Sequence, residues 1–237
     1  MVRLTADLIA AAPSFLNPLK DRELDLRGHK IPVLENLGVT RDQNDAIDLT
    51  DNEIRHLGNL PKLPRLKMLL LGRNRIASLA DSLATGIPNL ERLVLTQNLL
   101  QSLSDLEPLA QLKRLCFLVL QGNPVTQQQH YRSWIIWRCP SLRILDYAKV
   151  KQSERTAARE LFGSSLEDMT PLAAQIAGTK SNTFDVGGET AMGRMSEAER
   201  QRIHRAILSA TTMQEVVKLE NMLAEGRLPD RDTVMSH

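Results

Sequence analysis

Leucine and isoleucine recur along the first two-thirds of the chain at fixed offsets, which are neither helical nor strictly alternating. The pattern LxxLxLxxNxL fits three segments completely. They are Leu66, Leu69, Leu71, Asn74, Ile76; then Leu90, Leu93, Leu95, Asn98, Leu100; then Leu115, Leu118, Leu120, Asn123, Val125. A fourth segment, Ile47, Leu49, Asn52, Ile54, lacks only the first leucine, where Asn44 stands. A fifth, Leu24, Leu26, Ile31, has Asp21 at the first position and His29 in the asparagine slot. The asparagines step by 22, 24 and 25 residues from Asn52 to Asn123.

A period between about 20 and 29 residues with this lettering is that of leucine-rich repeats. In each unit LxL predicts a short strand, its leucines inward and the residue between them on the concave side. The asparagine is expected buried at the turn, its amide satisfying backbone groups that no ladder reaches. Each unit buries its leucines only against its neighbours, so the predicted fold class is α/β, a leucine-rich repeat solenoid with capped ends. Thr5 reads as the N-cap of a short helix carrying Leu8 and Ile9, the N-terminal cap. Both tryptophans and both tyrosines fall within residues 130–150, the expected C-terminal aromatic cap. A base-stacking platform is the alternative use of that tryptophan pair.

Beyond the cap, Gln152–Phe162 has helical composition, and the Gly, Ser and Thr of 178–194 read as a linker. Ser196 with Glu199, and Thr212 with Glu215, are capping boxes that open two short helices. The expected domains are therefore a capped repeat domain over 1–162, a flexible linker over 163–195, a helical hairpin over 196–228 and a disordered tail over 229–237. Asp7 and Pro13 interrupt the apolar N-terminal stretch, so neither an export signal nor a membrane span is expected.

Composition removes whole classes of function. With 237 residues, 42% hydrophobic and a net charge of +2, the chain is neither wholly disordered nor a polyanion coat driven by bulk charge. Two cysteines, Cys116 and Cys139, make no disulfide framework, and a reducing compartment is expected. No phosphate loop, nucleophile motif or metal-ligand spacing occurs, so no catalytic residue, metal or cofactor is predicted. The acidic run DAIDLTDNE lacks the spacing and closing glutamate of a calcium loop.

The template instead predicts a binding surface. Between the two core positions of each strand lie Asp25, Asp48, Leu70, Val94 and Val119, and just before them Glu23, Met68, Arg92 and Phe117. The early repeats thus offer carboxylates and the later ones a contiguous apolar strip, which marks a partner site. An amphipathic helix with a few basic residues fits such a groove. Nucleic acid lying along it would meet carboxylates. The competing expectation is that intramolecular contacts cover part of the strip. Residues 1–162 hold 22 Lys and Arg against 17 Asp and Glu, whereas 163–237 hold 8 against 11. A basic body is thus joined to an acidic tail.

The segments MVRLTADLI, DRELDLRGHKIPVLENLG, DQNDAIDLTDNEI and HYRSWIIWRCPSLRILDYAKVKQSER go beyond the generic repeat. They resemble the A-prime family of the U2 small nuclear ribonucleoprotein over roughly residues 1–162. The resemblance implies a nuclear, non-enzymatic scaffold in pre-mRNA splicing that pairs with the RRM protein B-double-prime. It implies that the concave face grips a helix of that partner and supports its hold on a stem-loop of U2 snRNA. Arg27, Lys149 and Lys151 become candidate secondary RNA contacts, and other spliceosomal proteins further partners. The alternative function is a leucine-rich repeat regulatory subunit of a protein phosphatase, since such regulators use repeats of about this length.

Overall fold

The computed structural model describes residues 3–164 and 168–178, within the first of the chain's two compact units, Met1–Thr183. The predicted hairpin at 196–228, the tail, and the linker beyond 178 lie outside the described residues.

Helix α1 (Ala6–Ala11) opens the fold, with Leu8 N–H donating to Thr5 Oγ1 at 3.2 Å as the cap requires. It covers the end of the stack with Leu4 and Ile9, both buried. Strand β1 (Ser14–Leu16) then turns back antiparallel to β2 (Arg22–Asp25). The repeat strands follow: β3 (Ala46–Asp48), β5 (Met68–Leu70), β7 (Arg92–Val94), β8 (Phe117–Val119) and β9 (Ile144–Leu145). From β2 to β9 these run parallel, and β10 (Ala148–Lys149) closes the eight-stranded sheet antiparallel to β9. On the convex side β4 (His56–Leu57) pairs parallel with β6 (Ser78–Leu79), near the short helix α2 (Leu83–Gly86).

The register shows why leucine is needed where it stands. Leu24, Ile47, Leu69, Leu93, Leu118 and Leu145 align across the ladder, and none is more than 4% exposed. Full burial of one such side chain contributes about 1.5–3 kcal/mol. Behind them the asparagines form a second ladder. Asn74 Nδ2 donates to Leu71 O in its own repeat and Leu49 O in the repeat before, while its Oδ1 accepts from Ile54 N–H. Asn52, Asn98 and Asn123 repeat this pattern. One amide thus serves at least three backbone groups between every two coils.

The C-terminal cap is larger than the sequence suggests. Helix α3 (Tyr131–Arg138) buries Trp134, which meets Phe162 at 5.2 Å between ring centroids. Phe162 ends helix α4 (Gln152–Phe162) and is fully buried. Trp137 donates Nε1–H to Gly163 O at 2.9 Å. Both tryptophans therefore hold the cap shut, and Trp134 is closed to stacking on bases. The expectation of a linker starting at residue 163 is corrected as well. Helix α5 (Pro171–Gly178) continues the cap, with Ala173 buried and Leu172, Ile176 and Ala177 packed against the core. The Phe162 ring and the apolar side of α5 close over the same end of the solenoid, which moves the edge of the repeat domain beyond 162.

Candidate functional site

Strand register assembles the concave face as two rows. One runs Phe15, Glu23, Ala46, Met68, Arg92, Phe117, Ile144; the other runs Asp25, Asp48, Leu70, Val94, Val119. All nine sequence-predicted residues lie in these rows. Their exposure is not uniform. Met68, Leu70, Val94 and Phe117 are half-buried and form the apolar strip.

Val119 departs from the expectation, being fully buried. Its two neighbours both bond to Asp146: Asp146 N–H donates to Leu118 O, and Leu120 N–H donates to Asp146 Oδ1 at 2.7 Å. The tight turn between β9 and β10 therefore sits against this position. Asp146 and Tyr147 both take positive φ there, and Tyr131 Oη–H donates to Asp146 Oδ2. Tyr147 is held outward, with its ring edge-on to Phe117 at 6.0 Å.

The expected acidic half of the face is largely neutralised from within. Arg27 pairs with Asp25 at 2.6 Å and lies 3.6 Å from Asp48. That guanidinium holds the Asp25 carboxyl below the usual carboxylate range. Arg92 Nη2 reaches Asp21 at 2.6 Å, across 71 residues of sequence. Lys67 stands 3.4 Å from Asp45, and Arg65 3.2 Å from it. Hydrogen bonds from Arg65, and then from the Arg22 N–H, pull the Asp45 carboxyl down to about 2. Glu23 is different: it accepts from Asn17 Nδ2 at 2.9 Å, and among the described residues no cation stands in ion-pair contact with it. Arg27, Arg65 and Lys67 are about half exposed, so their pairs add little stability and chiefly fix side-chain positions along one rim.

The three candidate RNA contacts are not brought together. Arg27 follows β2 and is held by Asp25 and Asp48. Lys149 and Lys151, both exposed, lie at the opposite end of the sheet. Beside Lys149 is a depression of about 410 Å³ lined by Arg143, Ile144, Tyr147, Val150 and Arg155. Asp21, Asp45 and Tyr147 join the face from outside the strand positions that the template assigns to it: Asp21 and Asp45 immediately precede β2 and β3, and Tyr147 lies in the turn between β9 and β10. Among the described residues no group of three or more His, Cys, Asp or Glu could hold a metal, and no helix is long and apolar enough to cross a membrane.

The family described as "Leucine-rich repeat" matches residues 1–177. The U2 small nuclear ribonucleoprotein A' of Aspergillus fumigatus is 54% identical, over 96% of this chain and 93% of that one. The chain belongs to the U2 small nuclear ribonucleoprotein A' family. The human A' protein is 45% identical, over 98% of this chain and 91% of its own. Among solved structures, the Drosophila melanogaster SNF/U2A' complex matches with a TM-score of 0.69 and 48% identity, covering 74% of this chain and 98% of that one. The A' proteins are non-enzymatic leucine-rich repeat components of the splicing machinery. Their kinship with this chain decides against the phosphatase-regulator reading.

Proposed function

We propose that the chain is a nuclear scaffold of the U2 particle that holds a helix of the RRM protein B-double-prime on its concave face. In doing so it supports that partner's binding to a U2 snRNA stem-loop during pre-mRNA splicing. The observation that carries this reading is the half-buried strip Met68, Leu70, Val94 and Phe117, set in a face whose charges are mostly paired internally. A surface without unpaired cations along its floor suits an apolar helix better than a phosphate backbone. The similar Drosophila protein was solved in complex with SNF, which supports a protein partner for this one. Lys149, Lys151 and Arg143 stand at one end of the face, where an RNA held by the partner could meet them; other spliceosomal proteins would meet the remaining surface.

The test is Val94→Arg with Phe117→Glu. Both side chains stand on the concave side of strands whose leucines face the core, so the fold is expected to survive. Size-exclusion chromatography with the RRM partner should show the complex lost while circular dichroism is unchanged. A complex that persists would refute the concave site.

A further inference from the structure

The geometry points to a docking face one strand longer than the repeats define, with Phe15 and Glu23 as a paired anchor for the basic end of the partner helix. This rests on the concave-face reading above and extends it to residues outside the repeat pattern.

Strand β1 is not a repeat strand, yet it adds antiparallel to β2 with Phe15 directly opposite Glu23. Directly opposed residues of an antiparallel pair project to the same side of a sheet. Phe15 therefore extends the row Glu23, Ala46, Met68, Arg92, Phe117 on the concave side. Phe15 is 43% exposed, and the next residue, Leu16, projects to the other side and is 72% exposed. The turn that follows is firmly built. Asn17, itself buried, accepts the N–H groups of Leu19 and Asp21 on its Oδ1 and donates from Nδ2 to Glu23. One buried amide thus fixes both the end of β1 and the Glu23 carboxylate. Pro13 and Pro18 bracket the strand, which limits pairing along its outer edge.

The two aromatic ends of the row, Phe15 and Phe117, are five strand spacings apart, about 24 Å along the sheet. A helix covers that distance in about 16 residues. Charge gives the face a direction. Glu23, the concave carboxylate without an ion-pair partner among the described contacts, stands beside Phe15. Lys149, exposed and also without one, stands beyond Phe117. The occupant that fits is a helix of a partner protein laid across the strands. It carries an apolar side chain and a Lys or Arg at the end over Phe15 and Glu23, and a carboxylate at the end near Lys149. Its middle turns rest on Met68, Leu70 and Val94.

The test uses the full chain and the purified RRM partner, with affinity measured by isothermal titration at two salt concentrations. Phe15→Ala should weaken binding by about tenfold, as removing an interface aromatic does. Leu16→Ala, on the opposite side of the same strand, should leave affinity within about twofold of the parent, a change too small to mark a hot spot. Glu23→Gln keeps the acceptor for Asn17, and should weaken binding while reducing its salt dependence. An unchanged affinity for Phe15→Ala, with Val94→Arg and Phe117→Glu still abolishing the complex, would overturn the extension and leave the concave site standing. Equal losses for Phe15→Ala and Leu16→Ala would also overturn it, pointing to disruption of β1. If the Val94 and Phe117 changes also leave binding intact, the concave reading and this extension fall together.

Discussion

Replacing Asn98 by alanine isolates the role of the asparagine ladder. Asn98 is 3% exposed; its Nδ2 donates to Leu71 O at 2.9 Å and Leu95 O at 3.0 Å, and its Oδ1 accepts from Ile76 N–H at 2.9 Å. The two carbonyls are shared, since Asn74 also donates to Leu71 O and Asn123 to Leu95 O. Ile76 N–H has no second partner in the ladder, so Asn98→Ala strands one buried backbone donor. That costs about 1–3 kcal/mol. For a domain of this size each kcal/mol lowers the melting temperature by about 2–4 °C. Asn98→Asp sharpens the test. It keeps the acceptor for Ile76 but sets a carboxylate oxygen against two carbonyls, which raises the carboxyl pKa in the folded state. The aspartate variant is therefore least destabilised below the unfolded pKa and loses stability as pH rises through the folded one. At about pH 7 it should be less stable than the alanine variant, and at about pH 4 the gap should narrow. Urea unfolding followed by circular dichroism and by the fluorescence of Trp134 and Trp137 measures both. An alanine variant with the parental midpoint, or an aspartate variant with no pH dependence beyond the parent's, would refute the ladder.

The caps and the rim give further checks. Phe162→Ala removes one ring of a trio packed mutually with Trp134 and Trp137 and should cost about 3–5 kcal/mol, with shifted tryptophan emission; a parental melting temperature would contradict the enlarged cap. The Asp45 carboxyl lies at about 2 in the folded chain, below its usual value, so its contribution is present at neutral pH and is lost as pH falls from about 4 toward 2. Asp45→Asn should therefore flatten the acid limb of a stability–pH curve. The effect should be modest because Arg65 is more than half exposed, and an unaltered acid limb would sink it.

Much of the fold is legible in the sequence because one physical demand repeats. A strand of three residues must bury its middle side chain, the residue after it must bury another, and an amide must follow at a fixed offset, so Leu69, Leu71 and Asn74 recur in register. What escapes the pattern does so for equally physical reasons. The Arg92 pairing with Asp21 joins residues three strands apart on the sheet, and no local spacing records it. Val119 has the sequence signature of an outward position, yet the Asp146–Tyr147 turn returns from a later segment to meet it. Asp146 Oδ1 does for the Leu120 N–H what a backbone carbonyl of the next strand does in the earlier repeats, where Leu71 and Leu95 donate to Val94 O and Val119 O, but as an aspartate outside the template it carries no signal. Phe15 lies on a strand that reverses direction, so its place on the concave side follows only from its pairing with Glu23. Helix α5 reads as linker because its eight residues are too few to display a helical period, and only the end of the cap gives Leu172, Ala173 and Ile176 something to cover.

A chain that serves U2 snRNA by holding a protein differs from a direct RNA binder in its own affinity for the stem-loop. The stem-loop should be titrated with the chain alone, the RRM partner alone and the two together, at low and physiological salt. In the scaffold role the chain alone should bind weakly and without sequence preference, with affinity falling steeply as salt rises, and the pair should bind more tightly and selectively than the partner alone. Tight, sequence-selective binding of the stem-loop by the chain alone would contradict it.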